Sequence, residues 1–141
     1  MYTIDASVWV NGFDQREPGH IASRRLLEWL GRQAIPIVIP NLALAEVAGA
    51  ISRTRGSPEQ AQLFASALSS LPNVTVMPID DALVQHAVSL AADHALRGAD
   101  AIYAAVALQA GAVLLTLDNE HLTRLAGVVP TRTPVDALAE Q

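Results

Sequence analysis

The sequence predicts an α/β fold: three α/β/α layers around a central, mostly parallel sheet of four to five strands. Two observations carry this. Short apolar runs rich in Val, Ile and Leu recur along the chain, and most are followed by a longer segment with apolar residues at helical spacing. Strands joined through helices lie parallel and are covered on both faces. With 141 residues, 51% of them hydrophobic, the chain is read as one domain over 1–141 that can bury a core.

The elements follow in order. Residues 2–5 (YTID) read as a strand. Residues 19–33 carry Ile21, Leu26, Leu27, Trp29 and Leu30 at helical spacing. The run 35–39 (IPIVI) is a buried strand, and Pro40-Asn41 opens a helix through about Arg53. A turn (RGSPEQ) leads into a helix over 58–71 with Pro58 at its first position. Residues 74–79 (VTVMPI) form a strand, and Asp80-Asp81 cap a helix over 82–96. Leu96-Arg97-Gly98 punctuates, and a helix from Ala99 is stopped by Gly111. Residues 112–118 (AVLLTLD) are a strand, 119–127 a short helix and 128–132 (VVPTR) a weak edge strand. Trp9, Phe13 and Trp29 are assigned to the core.

Composition narrows the chemistry. No apolar run approaches the roughly 20 residues that span a bilayer. The opening Met1–Asp5 lacks the charged and long apolar regions of a signal peptide. A cytoplasmic protein without membrane contact is expected. The absence of cysteine excludes disulfides, thiolate catalysis and cysteine zinc sites. All nine basic residues are arginine. The absence of lysine removes Walker phosphate loops, Schiff bases and receiver-like or phosphatase sites with a strand-end lysine. A net charge of -5 argues against loose nucleic-acid binding, but not against a nucleic-acid enzyme whose negative charge is concentrated in a metal site.

Four acids share one edge of the predicted sheet. Asp5 ends the first strand and Asp118 the fourth, so both lie at the carboxyl edge, where ligands bind in such sheets. Asp100 is in the first turn of the helix before the Asp118 strand. That helix descends about 10 residues at 1.5 Å each and the strand climbs about 7 at roughly 3.3 Å, which returns the chain to the same level. Glu46 sits roughly 8 Å below the edge on its helix, and its side chain leans back toward the helix N-terminus. It lies in LALAEVAGAI, apolar on almost every face, where an ionised glutamate needs a cation or donors. Four carboxylates this close repel one another, and a divalent cation resolves the repulsion. An all-oxygen site favours Mg2+ or Mn2+ over zinc. Setting these acids aside leaves the rest of the chain nearly neutral.

Each acid taken singly has a structural explanation. Asp5 and Asp118 suit helix N-caps, Asp100 suits the helix dipole, and Glu46 could pair with an arginine such as Arg53. All four sharing one edge is what those explanations leave unaccounted for. Ser7, two residues after Asp5, can cap a helix or orient a metal-bound water. The histidines (His20, His86, His94, His121) form no metal-ligand pattern. They are read as surface or satisfied core residues, with only His121 considered for substrate contact.

At these residues the chain resembles a PIN domain, specifically a VapC-type toxin ribonuclease. The matching stretches are YTIDASVWV, NLALAEVAGAI, RGADAIYAAVAL and LLTLDNEHL, in the family's order. The resemblance covers essentially the whole chain. It implies a PIN-like fold and a Mg2+- or Mn2+-dependent endoribonuclease acting on RNA, with Asp5, Glu46, Asp100 and Asp118 as the acidic site. Asp5, Asp100 and Asp118 would hold the metal, with Glu46 binding it directly or through water. Ser7 and Thr116 match small hydroxyl residues flanking the first and last acids, and Glu120 is a candidate fifth acid. The resemblance also implies a homodimer and a cognate antitoxin protein. Substrate grip falls to arginines, with Arg97, Arg53 and Arg55 placed nearest the edge. Alternatives within this frame are a housekeeping RNA-processing nuclease and a catalytically silent PIN-like binding module.

Overall fold

A computed structural model describes all 141 residues. In chain order the elements are β1 (Tyr2–Ile4), α1 (Ala6–Phe13), α2 (His20–Arg32), β2 (Ile37–Pro40), α3 (Leu42–Arg55), α4 (Pro58–Ser69) and β3 (Val74–Met77). There follow α5 (Asp81–His94), α6 (Gly98–Ala110), β4 (Val113–Leu115), α7 (Asn119–Arg124), β5 (Thr131–Arg132) and α8 (Pro134–Ala139). No helix is long and apolar enough to cross a membrane.

All strand pairs are parallel, in the order β3-β2-β1-β4-β5. The chain therefore moves outward from β1 to β2 to β3, then crosses back to β4 and β5 on the other side of β1. Right-handed crossovers place the helices of these two journeys on opposite faces. One face carries α1 to α4 and the other carries α5 and α6, which completes three layers. The direction reverses between β1 and β4, and the segments leaving those two strands diverge. Such a reversal opens a crevice beyond the carboxyl ends. Asp5 and Asp118 flank it.

Local chemistry explains the elements that hold the crevice open. Asp80 caps α5 by accepting from Leu83 N–H at 2.8 Å, and Ser57 caps α4 by accepting from Gln60 N–H at 3.2 Å. Helix α6 is buried on nearly every side: Ala101, Tyr103, Ala104, Ala105, Val106 and Ala107 are all within the core. Its small side chains let the helix lie close across β1, β2 and β4. The start of α6, and Asp100 with it, is thereby pinned beside the edge.

The structure departs from the pattern-based expectation in three ways. The strands are shorter than expected, most consequentially β4, which ends at Leu115. Beyond it the Leu117 N–H is taken by Ser7 Oγ (3.2 Å) and the Asp118 N–H by Thr116 Oγ1 (3.1 Å), so the backbone leaves the ladder. A helix, α1, occupies residues 6–13. Its eight residues, ASVWVNGF, are only about two turns and too few to establish a helical period. A further helix, α8, is started by a capping box in which Thr133 Oγ1 accepts from Asp136 N–H and the Asp136 carboxylate accepts from Thr133 N–H.

Candidate active site

The β1–β4 register builds the first half of the site. Ile4 pairs with Leu115, so the next residues, Asp5 and Thr116, stand side by side beyond the strand ends. Thr116 Oγ1 donates to Asp5 Oδ2 at 2.9 Å, and Ser7 Oγ donates to the same oxygen at 2.7 Å. Asp5 occupies the N-cap position of α1 but makes no capping bond. Its carboxylate is turned toward the crevice flanks instead. Ser7 lies inside α1 and orients Asp5 rather than capping a helix. Burial pushes the Asp5 carboxyl up, but His121, Ser7 and Thr116 outweigh it and hold the group below its ordinary value.

Asp100 meets an imidazole. His121 Nε2 is hydrogen-bonded to Asp100 Oδ1, and its Nδ1 lies 3.2 Å from Thr116 Oγ1 and 3.5 Å from Asp5 Oδ2. Nε2 is also 3.9 Å from Asp118 Oδ2. A proton inventory bears on the charge. Thr116 Oγ1 gives its one hydrogen to Asp5 and accepts from Asp118 N–H, so toward His121 it can only accept again. Nδ1 faces that oxygen, and Nε2 faces the Asp100 carboxylate. Acceptors facing both ring nitrogens favour the protonated ring. Burial alone would lower its pKa, but Asp5 and Asp100 outweigh it and raise it to about 9.

Of the four histidines read as surface or satisfied core residues, His121 is the one considered for substrate contact, and it is a buried, hydrogen-bonded residue facing the acids. It is 7% exposed and touches or approaches three of the four acids. The available signal was its spacing. His121 follows Asp118 by three residues, one helical turn, which brings both to one face of α7. Tyr103 was missed for the same reason and stands three residues after Asp100. Its hydroxyl donates to Glu46 Oε2 at 3.2 Å, linking α6 to α3 across the site. Glu46 thus finds its donor in Tyr103, and no ion pair with Arg53 forms. Burial and the Asp5 charge push the Glu46 carboxyl up, against the Tyr103 bond that lowers it. Burial, with Asp5 and Glu46, drives the Tyr103 phenol well above its ordinary value.

Asp118 acts as the N-cap of α7, with Oδ1 accepting from Glu120 N–H at 2.8 Å. A common pattern emerges. Each of the four acids has one oxygen held by a protein donor: Asp5 Oδ2, Glu46 Oε2, Asp100 Oδ1 and Asp118 Oδ1. The second oxygen of each is left without a protein hydrogen bond. For Asp100 that oxygen, Oδ2, is fully buried and unpartnered, with only the exposed Arg97 guanidinium 3.7 Å away. An orphaned carboxylate oxygen is costly to bury unless a cation meets it. The donor set, all carboxylate oxygen, fits a hard divalent ion. No three acidic or histidine side chains converge at metal-ligand distances in this arrangement. The His121 ring lies among them.

The other expected residues divide. Arg53 lines an open cavity of about 790 Å³ together with Ser7, Glu46, Glu17 and Leu117. Arg97 and Glu120 form an exposed ion pair at the rim, and Arg124 stands 3.8 Å from the same carboxylate. Arg55 is engaged elsewhere: it pairs with Asp14 at 3.2 Å, sits over the Phe13 ring and lines a separate groove with Leu63 and Phe64.

A family model, the PIN domain, matches residues 2–128, a span that includes all four acids. No curated protein matches the chain. Among solved structures the chain is similar to VapC20 of Mycobacterium tuberculosis, a sarcin-ricin loop cleaving toxin. The two share 22% identity over 94% of this chain and 99% of that chain, with a TM-score of 0.77. It is also similar to a toxin-antitoxin complex from Klebsiella pneumoniae (19% identity, 95% and 98% covered, TM-score 0.69). FitAcB from Neisseria gonorrhoeae gives 18% identity, 96% and 99% coverage and a TM-score of 0.69. At such identities the likeness is one of fold, and it agrees with the strand order and layers described above. Matched by the family model over nearly its full length, the chain belongs to the PIN domain family.

Proposed function

We propose that this chain is a Mg2+- or Mn2+-dependent endoribonuclease and the toxin of a type II toxin-antitoxin pair, acting in the cytoplasm as a homodimer. The observation that carries the metal site is the shared pattern of the four carboxylates, each with one oxygen held and one free, gathered at the carboxyl edge. The fold it shares with a sarcin-ricin loop cleaving toxin supports RNA as substrate. Likeness to a protein solved as a toxin-antitoxin complex supports a cognate antitoxin as partner.

The residues divide the work. Asp5, Asp100 and Asp118 would hold the ion, with Glu46 beside them. The chemistry the ion supplies when bound is polarisation of a phosphodiester and activation of water. Ser7 and Thr116 fix the Asp5 carboxylate so that its other oxygen faces one direction only. Glu46, with one oxygen held by Tyr103 and the other free, would bind the ion directly or through water. Arg53, in the same cavity, offers a planar guanidinium to a substrate phosphate.

The test is RNA cleavage by the purified chain with Mg2+ or Mn2+ and after exhaustive chelation, for wild type, Asp118→Asn and Asp118→Ala. Asparagine preserves the cap of α7, so Asp118→Asn is expected to keep its melting temperature yet lose cleavage. Alanine is expected to lose cleavage and also about 1 kcal/mol of stability. Undiminished cleavage after chelation would remove the metal mechanism. An active Asp118→Asn protein would reduce Asp118 to a cap.

A further inference from the structure

We propose that His121 is a positioning residue of the acidic site: its imidazole anchors Asp100 by one oxygen and so leaves the other turned toward the cation. The inference rests on the metal-site reading above and deepens it.

The two ends of the ring are not equivalent. On the Nδ1 side the imidazole meets Thr116 Oγ1 (3.2 Å) and approaches Asp5 Oδ2 (3.5 Å). That oxygen already has two hydroxyl donors, Ser7 at 2.7 Å and Thr116 at 2.9 Å. Asp5 stays held without the histidine. On the Nε2 side the ring supplies the sole hydrogen bond to Asp100 Oδ1, and Asp100 accepts no other hydrogen bond from the protein. Without His121 the Asp100 carboxylate is free to rotate about its last bond, and neither of its oxygens has a fixed direction.

Burial makes that constraint effective. Both side chains are nearly sealed from solvent, at 8% and 7% exposure. Water therefore does not replace the lost donor readily, and Asp100 Oδ2 has no hydrogen bond to fall back on, only the exposed Arg97 guanidinium 3.7 Å away. His121 is itself fixed, because it belongs to α7 and that helix is started by the Asp118 cap. The site thus contains a closed chain of contacts: Asp118 starts the helix, the helix carries His121, and His121 sets Asp100. Donors that orient metal-binding carboxylates commonly change metal affinity by about 10- to 100-fold when removed.

Side-chain geometry allows the two ends to be tested separately. The amide nitrogen of glutamine reaches the place of Nε2, whereas that of asparagine reaches the place of Nδ1. The experiment measures Mn2+ binding to the full chain by electron paramagnetic resonance, for wild type, His121→Ala, His121→Gln and His121→Asn, with circular dichroism as a check of folding. Affinity is expected to fall about 10- to 100-fold in His121→Ala and His121→Asn and to stay close to wild type in His121→Gln. Equal affinity in the Gln and Asn variants would overturn the proposal, and this comparison stands even if His121→Ala fails to fold. Tighter binding in His121→Ala would also overturn it, by showing the ring to be a competitor for the cation's place. A wild-type chain that takes up no Mn2+ would overturn the metal site itself, and this inference with it.

Discussion

Single residues in this site differ in how they could be found. Asp5, Glu46, Asp100 and Asp118 were legible because a parallel sheet sends strand ends and helix starts to one edge, and because Glu46 interrupts an otherwise apolar helix. Their donors were not. Tyr103 looks like a core aromatic and is one, at 1% exposure; only its hydroxyl reaches the acids, at Glu46. His121 forms no metal-ligand pattern with the other histidines, and its partners are carboxylates. The useful signal in both cases is a donor one helical turn after a site acid. Tyr103→Phe keeps the ring in the core and removes only the hydroxyl. The expected outcome is a loss of about 1 kcal/mol of stability, with a fall of about 10-fold or more in cleavage rate. Thermal unfolding and cleavage kinetics on one preparation check both, and unchanged kinetics would make the Tyr103 bond merely structural.

At the scale of elements, long amphipathic helices were legible and short or two-sided ones were not. The apolar run of α1 continues that of β1, so periodicity alone does not separate them; Asp5 does, as the residue at which the backbone turns. The end of α1 is secured by Asp14, which is buried despite its charge. It accepts from Arg16 Nε and Nη2 at 3.0 and 2.8 Å, and from Arg55 Nη2 at 3.2 Å, tying the loop after α1 to the end of α3. Arg16 above all, with Arg55, holds the Asp14 carboxyl far below its ordinary value. A depressed folded-state pKa contributes stability that is fully present above the unfolded value, near 3.9, and is lost as pH falls through the folded one. Asp14→Asn is accordingly expected to lower the melting temperature at pH 7. The gap to wild type should narrow as pH drops below about 4. Melting curves at pH 7, 5, 4 and 3 measure it, and a gap independent of pH would deny the ion pairs their role. Cleavage should be spared at neutral pH if the variant remains folded, because Asp14 pairs with Arg16 and Arg55 and makes no hydrogen bond or ion pair with the four acids or their donors.

For the whole molecule, alternation of strands and helices conveyed the layers but not the strand order, since nothing in a strand's own residues names its neighbours. The order matters because β1, the first element made, lies at the centre, and its pairing with β4 joins Thr3 to Leu114. The Asp5–Thr116 hydrogen bond spans 111 residues of chain. A chain ended after Gly111 would leave β1 with an open edge and bare apolar faces. It is expected to be insoluble or unfolded, as judged by circular dichroism and sedimentation, and a soluble, folded 1–111 fragment would contradict this. The same arrangement has a consequence in time. Synthesis proceeds at roughly 5–20 residues per second, and Asp5 and Glu46 emerge well before Asp118. During that interval the ribosome carries a chain with half its acids and no edge to gather them on. Only when β4 slides in beside β1 do Thr116, Asp118 and His121 reach their partners. Under the function proposed above, the acidic site is expected to be incomplete while most of the messenger is being read.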